Sequence, residues 1–255
     1  MNKSLVDELF EDDSDIVKSF YMKDTLCTDI FEGKGKMIKS IKDKLLEISD
    51  KFIDFLGVPF FIYDVVLTGS LSNYNWSEYS DVDLHILIDM DEMNDGKTNS
   101  ESLQKIVKEF LDAKKNVWNQ NHDIKIKGFE IELYVQDVNE PHVSTGVYSI
   151  LNDKWVIEPS KNKSDIDDKS ILEKGKEYSE IIDTLYEKGK KGEDVTDEID
   201  DLKKKIKRFR QTGLEKGGEY SYENLTFKLL RRNGYIEKLL NIKKEITNNK
   251  LSVAQ

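Results

Sequence analysis

Cysteine is scarce in this 255-residue chain, and long apolar runs are missing. The single cysteine, Cys27, has no partner for an internal disulfide or a cysteine-based metal site, which favours a reducing setting. No apolar run approaches the roughly 18 residues that a membrane span needs. The first 15 residues are acidic where a signal peptide would be basic and then apolar. These absences predict a cytoplasmic protein with no membrane partner and no disulfide partner.

Basic residues are also fewer than acidic ones, 39 against 50, which gives a formal net charge of −11 at pH 7. Broad binding of nucleic acids needs cations facing the phosphates, so this balance argues against it. The charge is uneven, because residues 1–32 hold nine acidic residues and three lysines, whereas residues 203–210 (KKKIKRFR) are strongly basic. A charged helix face of this kind is usually just solvated, but tRNA or another RNA stays open as a partner.

Three regions can be distinguished along the chain. Aromatic residues make up 10% of it, which argues against general disorder, and its length fits one large domain or two small ones. Residues 1–35 are predicted to form an acidic N-terminal arm, residues 36–160 a domain of mixed helices and strands, and residues 161–255 a helical domain. We expect an α+β fold with a mixed β-sheet, followed by a C-terminal helical bundle.

The periodicity of the apolar residues predicts the individual elements. Apolar residues recur at helical spacing over 36–56, and Gly57 and Pro59 end that helix. The other elements expected in this domain are strands at 60–68 and 81–89, a loop at 89–100, a helix at 101–118, strands at 124–127 and 129–137 joined at Gly128, and a hairpin at 147–158 that turns at Asn152 and Asp153. Three more helices are expected at 168–189, 195–212 and 221–246.

The residues that suggest chemistry lie where the strand at 60–68 meets the next one. That strand is followed by Gly69 and Ser70, and the next strand opens with Asp81 and Asp83, one residue apart. Strand side chains alternate between faces, so both aspartates point the same way. The opposite face is predicted to enter the core with Val82, Leu84, Ile86 and Ile88. Two neighbouring carboxylates repel each other, and a hard cation such as Mg²⁺ relieves that repulsion.

A phosphate site and a third carboxylate would complete this group. Glycine lets the backbone approach a phosphate closely, and the Ser70 hydroxyl with nearby N–H groups can hold phosphate oxygens. The strand at 129–137 carries Glu130, Glu132 and Tyr134 on one face. If it lies beside the strand of the two aspartates, its glutamates share their face. We prefer Glu132, which sits mid-strand between apolar neighbours, and keep Glu130 as the alternative.

Gly69-Ser70, then Asp81-x-Asp83, then a later strand carboxylate resemble the nucleotidyltransferase superfamily with the polymerase-β-type catalytic core. The resemblance covers residues 58–137, and the segment GSLSNYNWSEYSDVDLHILID is also similar to nucleotidyltransferases of tailed phages. A glutamate in the third position, where most of the superfamily has aspartate, resembles the aminoglycoside-modifying branch. Many members carry a second glycine or a basic residue shortly after Gly-Ser, and the segment 71–76 has neither.

The resemblance implies a polymerase-β-like core and a function. Gly69 and Ser70 would hold the triphosphate of an NTP, with ATP preferred, while Asp81, Asp83 and Glu132 would bind two Mg²⁺ or Mn²⁺ ions. An NMP would move to a hydroxyl acceptor on a small molecule, a protein or a tRNA, with release of pyrophosphate. Two alternatives stay open: a cyclic dinucleotide or oligonucleotide synthase, and a nucleotide-binding or structural protein without turnover.

Several other residues have structural interpretations that we prefer. His85 shares the face of the aspartates, and a hydrogen-bonded structural role is favoured over metal ligation. His122 and His142 fall in predicted loops and are expected at the surface. Base stacking or packing of the connection is open for three aromatic residues beside the site, Tyr74, Trp76 and Tyr79. An amphipathic helix is favoured over nucleotide contacts for four residues of the last segment, Tyr220, Tyr222, Lys228 and Tyr235.

Overall fold

The computed structural model describes residues 13–58, 60–90, 100–142, 144–161 and 166–252. The chain divides into two compact units. We call them the sheet unit (Met22–Asn162) and the helical unit (Met1–Tyr21 with Lys163–Gln255). The acidic arm expected over residues 1–35 is therefore shared between the two units, and its first 12 residues lie outside the described part of the chain.

The described part of that arm contributes apolar side chains to both units. Residues 13–18 are helical (α1), and Ile16 and Phe20 are buried in an apolar cluster of the helical unit. Cys27 and Phe31 are buried in the main core of the sheet unit. Burial of such side chains stabilises the packed arrangement, because each removes apolar surface from water. The acidic residues scattered among them do not prevent this packing, since they alternate with the buried positions.

The sheet unit has the following elements after α1: β1 (Phe31–Glu32), β2 (Lys36–Met37), α2 (Lys39–Leu56), β3 (Ile62–Thr68), β4 (Val82–Ile88), α3 (Ser100–Asn121), β5 (Lys125–Ile126), β6 (Phe129–Asp137), β7 (Val147–Ser149) and β8 (Lys154–Ile157). A short 3₁₀ turn at Ser70–Ser72 separates β3 from β4. The hairpin expected at 147–158 is present, and Asp153 in its turn has a φ of 55°. The loop expected at 89–100 lies mostly outside the described residues, over positions 91–99.

One mixed sheet organises this unit. Its strand order is β5-β6-β4-β3-β7-β8, with β4 and β6 parallel and the other neighbouring pairs antiparallel. A parallel pair needs a long crossover connection, and α3 lies in the connection between β4 and β6. This arrangement confirms the expected α+β class with a mixed sheet. It also places the Asp81–Asp83 strand directly beside the strand that carries Glu132.

The core of the sheet unit lies on one face of that sheet. The expected core positions of β4, Val82, Leu84, Ile86 and Ile88, are all buried there. Helix α2 packs its apolar stripe into the same core, and its largest fully buried side chain is Phe52. The helix ends at Gly57, whose φ of 71° closes the last turn in the left-handed region that glycine tolerates. The opposite face of β4 carries Asp83 and His85 and then Leu87, which is buried in a small second apolar cluster with Val66 and Val147.

The helical unit contains α4 (Asp168–Lys190), α5 (Thr196–Gly217), α6 (Tyr222–Arg232) and α7 (Tyr235–Leu251). Asp167 and Ser221 cap α4 and α6 by accepting hydrogen bonds from the backbone N–H groups of Ser170 and Asn224. The core is aliphatic and aromatic, with Tyr178 fully buried. Within the described ranges, none of the helices is long and apolar enough to span a bilayer.

The continuous helix expected at 221–246 is wrong. The structure has two helices there, α6 and α7, separated by Asn233 and Gly234. Gly234 has a φ of 72°, so the chain turns in the left-handed region and a new helix begins at Tyr235. Apolar periodicity continues across this break, because Leu230 of α6 is buried in the same core as Leu239 and Ile242 of α7, and the two helices therefore look like one element in the sequence.

Candidate active site

The loop after β3 brings Gly69 against the carboxylate of Asp83. Strands β3 and β4 are antiparallel, with Thr68 opposite Asp83, so the residue after Thr68 lies beside that aspartate. Gly69 has φ 73° and ψ −159°, a conformation that only glycine adopts readily. A Cβ at this position would lie 2.7 Å from Asp83 Cγ and closer still to Oδ2. The glycine is therefore required both by its backbone and by the proximity of the carboxylate.

Three side-chain contacts hold this turn from the side of β7. Ser72 Oγ lies 2.9 Å from the Gly69 carbonyl oxygen and 2.7 Å from that of Gly146. Asn73 donates from Nδ2 to the Gly69 oxygen at 2.8 Å. Thr145 donates in turn to Asn73 Oδ1 at 2.9 Å. Because the serine and the asparagine are buried, these bonds fix the direction in which the Gly69-Ser70 peptide enters the 3₁₀ turn.

Ser70 is positioned by Ser80, at the other end of the connection. Ser70 Oγ donates to Ser80 Oγ at 2.8 Å, and Ser80 Oγ accepts from the backbone N–H of Ser77 at 2.9 Å. Ser70 is half-buried, whereas Ser80 is buried. The two ends of the 11-residue connection from residue 70 to residue 80 are thus joined directly beside the first aspartate. Sequence reasoning missed Ser80, although its position just before Asp81 was visible.

The carboxylates of β4 and β6 meet across the parallel pair. Asp83 is the register partner of Glu132, as Val82 is of Ile131. Residues paired in this way point to the same face of a sheet, so the two carboxylates are neighbours on the face opposite the core. Asp81, Asp83 and Glu132 are each half-buried. Strand β6 therefore lies beside the strand of Asp81 and Asp83, which was the condition for choosing one of its glutamates as the third carboxylate.

The contacts of the two glutamates on β6 differ. Glu130 is exposed and forms an ion pair with Lys125 of the adjacent strand, at 3.0 Å. Glu132 instead accepts a hydrogen bond from the hydroxyl of Tyr134, two residues further along the same face. The geometry therefore brings Glu132, and not Glu130, together with Asp83.

The hydroxyl of Tyr134 is affected by the charges of the site carboxylates. Burial is the largest influence on its hydroxyl and raises its pKa well above the usual range. The bond to Glu132 and the negative charges of Glu132, Asp83 and Asp81 raise the pKa further. All three carboxylates thus lie within electrostatic reach of one phenol, which stays protonated and donates. The alternation of Glu132 and Tyr134 on one strand face is the sequence signal that indicates this residue.

His85 has the structural contact that we expected. Its Nδ1 lies 2.7 Å from Gln136 Oε1, and its ring centroid lies 4.8 Å from that of Tyr134. Burial lowers the pKa of this imidazole, and the nearby Lys115 adds to the effect. Lys115, on α3, also places its ammonium 4.7 Å from the centre of the Tyr134 ring. No sequence signal connected this lysine to the site, because only the position of α3 brings it there.

The aromatic residues of the connection are tied to the body of the sheet unit. Trp76 donates from Nε1 to the carbonyl oxygen of Thr25 at 2.8 Å and packs against the main core. Tyr74 lies 4.9 Å below the ammonium of Lys161. Tyr79 is 39% exposed, so of the three it has the most open ring. Packing accounts for Trp76, while base stacking by Tyr79 stays a prediction.

The other residues considered from the sequence lie elsewhere. His122 stacks on Trp118 at the end of α3, with ring centroids 3.9 Å apart. The basic run at 203–210 lies on α5 of the helical unit, where Ile206 is buried and Lys204, Lys205, Lys207 and Arg208 are exposed. Also in the helical unit are Tyr220, Tyr222, Lys228 and Tyr235, of which Tyr222 and Tyr235 pack against its apolar clusters.

The carboxylates are suited to a metal that arrives with a phosphate ligand. Among the described residues, no three His, Cys, Asp or Glu side chains converge closely enough to form a ready-made metal site. Mg²⁺ is usually bound by one or two carboxylates together with substrate phosphates and water, rather than by a complete protein cage. Asp83 and its partner Glu132, beside a turn that a phosphate can approach, have the donor chemistry that such an ion prefers.

Comparisons of the chain with protein-family models, curated proteins and solved structures find no match. The geometry of the Gly69 turn and the facing carboxylates is therefore the basis on which a function can be inferred.

Proposed function

We propose that the protein is a Mg²⁺-dependent nucleotidyltransferase with a polymerase-β-like core, which moves an NMP from an NTP to a hydroxyl acceptor. The observation that carries the proposal is the pairing of Asp83 with Glu132 directly beside the Gly69 turn. In the reaction the acceptor oxygen bonds to the α-phosphorus, and the bond from that phosphorus to the bridging oxygen breaks. Pyrophosphate leaves with the electron pair, and the hydroxyl proton passes to a site carboxylate or to water.

The turn after β3 would receive the triphosphate. The Asp83 carboxylate fills the side-chain space of Gly69, so a phosphate would meet the backbone of the turn and the Ser70 hydroxyl, which Ser80 holds in place. Backbone N–H groups of such a turn, together with a hydroxyl, are typical donors to phosphate oxygens. The hydrogen bonds to Ser72 and Asn73 keep the turn rigid, so little ordering is needed when the nucleotide binds.

The carboxylates of β4 and β6 would organise the reacting atoms. Bound Mg²⁺ would lower the pKa of the acceptor hydroxyl and neutralise charge on the leaving pyrophosphate. Asp81 and Asp83 would hold the ions from one strand, and Glu132 would complete the set from the next. Tyr134 keeps one Glu132 oxygen engaged, which directs the remaining lone pairs of that carboxylate. Catalysis would then come from positioning and electrostatics.

The test follows the label from each of the four α-³²P-labelled NTPs with Mg²⁺, with and without cell extract. It compares wild type with Asp83→Asn, which keeps the size of the side chain and removes its charge. Glu130→Gln is the matched control, because Glu130 lies on the same strand as Glu132 but pairs with Lys125. Transfer of label by wild type and Glu130→Gln, with at least about a thousandfold loss in Asp83→Asn, supports the proposal.

The size of the labelled product identifies the acceptor class. A labelled small molecule, protein or tRNA that forms only with extract agrees with the proposed transfer. A labelled cyclic or oligomeric nucleotide without extract indicates a nucleotide-joining synthase that uses the same site. Absence of transfer from all four NTPs, with nucleotide binding intact, contradicts the proposal and favours a binding protein.

A further inference from the structure

Glu132 and Tyr134 are hydrogen-bonded to each other although they lie two residues apart on one strand. Residues spaced in this way are about 6.6 Å apart along a strand, and their side chains point to the same face. The phenol must therefore lean back along β6 for its hydroxyl to reach the Glu132 carboxylate. Because the phenol oxygen lies on the axis of the ring, its position follows the position of the ring. The contacts that hold the ring therefore also hold this hydrogen bond.

Two side chains from other elements contact the Tyr134 ring. His85 is its register partner on β4, and the two ring centroids lie 4.8 Å apart at an interplanar angle of 34°. The imidazole is fixed in turn, because Gln136 Oε1 lies 2.7 Å from its Nδ1 and Gln136 Nε2 donates to the carbonyl oxygen of Glu140 at 3.2 Å. The second neighbour is Lys115, whose ammonium lies 4.7 Å from the centre of the ring.

Lys115 is placed where its charge can act on the ring. It lies on α3, and its side chain is only 19% exposed. Its ion pair with Asp112 has a distance of 3.5 Å and involves an exposed carboxylate, so water weakens that attraction. A cation over a phenol ring is attracted by the negative face of the ring, and more strongly where water is excluded. The contact with the half-buried Tyr134 is therefore the better shielded of the two.

The preceding lysine of the same helix makes a similar contact with a different ring. Lys114 is also half-buried, and its ammonium lies 4.8 Å from the centre of the Phe55 ring on α2. Phe55 packs against the main core and carries no hydroxyl. Of the two lysines, only Lys115 thus contacts a ring that is bonded to a site carboxylate. Lys114 is for this reason a matched control for Lys115.

We propose that Lys115 is a positioning residue of the site, which acts through Tyr134 to orient the Glu132 carboxylate toward a bound divalent ion. This inference rests on the proposed function, because Glu132 needs a fixed orientation only if it is a metal ligand. Without the ammonium the ring is held less firmly, and the carboxylate loses the donor that fixes one of its oxygens. Loss of a group that orients a metal ligand weakens metal binding.

The sign of that effect separates positioning from simple electrostatics. A cation near a metal site repels the metal ion, so by Coulomb's law the removal of the Lys115 charge should tighten metal binding. A positioning role through Tyr134 predicts the opposite. Lys115→Arg keeps a cation that can stack on the ring and should therefore restore binding, whereas Lys115→Met should not.

The test measures, by isothermal titration calorimetry, how the full chain binds the Mn²⁺ complex of an α,β-methylene NTP. The methylene bridge cannot be cleaved at the bond that breaks in the proposed reaction, so binding is measured without turnover. The four base analogues are compared on wild type, and the tightest is used for the variants. These are Lys115→Met, Lys115→Arg, Lys114→Met, Tyr134→Phe and the double variant Lys115→Met/Tyr134→Phe. Circular dichroism establishes that each variant is folded.

We expect equal binding by wild type, Lys114→Met and Lys115→Arg, with binding weakened about threefold to tenfold in Lys115→Met. In the Tyr134→Phe background, Lys115→Met should cause no further loss, because the hydroxyl through which the lysine acts is already absent. Equal or tighter binding by folded Lys115→Met overturns the inference. A further loss of the same size in the double variant also overturns it, because Lys115 would then act on the nucleotide complex without Tyr134.

Failure of the proposed function gives a different result. Absence of binding of all four complexes by wild type overturns the nucleotide site itself, and the positioning role with it. Lys115-dependent binding without transfer of NMP contradicts only the transferase and leaves the positioning role in place.

Discussion

Gly69 and Asp83 lie in such close contact that the space for a side chain at position 69 is already filled by the carboxylate of the aspartate. The contact joins the end of β3 to the start of β4 and places the turn that we propose for the triphosphate beside the paired acidic residues. A carboxylate and a phosphate repel each other unless a cation lies between them. A phosphate bound at the Gly69 turn would lie close to the carboxylate of Asp83. We therefore expect a divalent ion between them in the function of this site.

The first prediction concerns Gly69→Ala. We expect a loss of NMP transfer of about a hundredfold or more, since the added Cβ displaces Asp83 and small displacements of reacting groups have effects of that size. Gly218→Ala is the matched control, because Gly218 has nearly the same backbone angles, φ 68° and ψ −154°, with no atom within 4 Å of the added Cβ. Equal loss of transfer in the two variants would show that backbone strain, and not the contact with Asp83, is responsible.

The second prediction concerns Tyr134→Phe. The variant removes the hydroxyl that binds Glu132 and leaves the ring in place. We expect transfer to fall by about 10–100-fold, the usual effect of losing a group that orients a metal ligand, with a higher Mg²⁺ concentration needed for half-maximal activity. Tyr63→Phe, on β3, is the control for a partly exposed tyrosine. An unchanged Mg²⁺ dependence would show that Glu132 does not need this bond.

The third prediction concerns the serine pair at the ends of the connection. Ser80→Ala removes the acceptor that holds the Ser70 hydroxyl. We expect a higher KM for the NTP with a smaller effect on kcat, because the loosened hydroxyl binds ground state and transition state alike. Ser179→Ala, at a half-buried helix position of the helical unit, is the control. A fall in kcat with KM unchanged would contradict a role in nucleotide binding.

The fourth prediction links Lys228 to the pH dependence of stability. Burial lowers the pKa of Lys228 in the folded state below its value in the unfolded chain. As the pH falls below 10.5, the pKa of this lysine in the unfolded chain, the unfolded state binds the proton before the folded state does. Protonation therefore favours the unfolded state, and the folded state is destabilised at neutral pH. Lys228→Met should therefore raise the Tm at pH 7 by a few degrees, and the difference should shrink as the pH approaches 10.5.

Thermal unfolding followed by circular dichroism, without phosphate in the buffer, measures that difference. Lys244→Met carries the same substitution at an exposed position and should leave the Tm nearly unchanged at both pH values. A lower Tm for Lys228→Met at pH 7 would indicate that the ammonium is stabilised by the fold.

Most of the local elements, and the class of the fold, follow from the sequence alone. Period-2 and period-3.6 apolar patterns depend on which face of a strand or helix is buried, so β4, β6 and the helices α2 to α5 could be predicted from them. The same alternation placed Asp81 with Asp83, and Glu130 with Glu132, on polar faces. Glycine at 69 was identifiable as a turn residue because a buried strand ended there. Such properties follow from neighbours a few residues apart.

Which distant residues come into contact depends on the register and packing of the tertiary structure. The parallel register of β4 and β6 brings Glu132 to Asp83 and leaves Glu130 to Lys125, a choice that neither strand contains in its own pattern. The break at Gly234 was hidden for a related reason, since Leu230 of α6 and Leu239 of α7 are buried in one core. Register and packing depend on contacts between residues far apart in the chain, and the physical consequences of desolvation and repulsion appear only once those contacts exist.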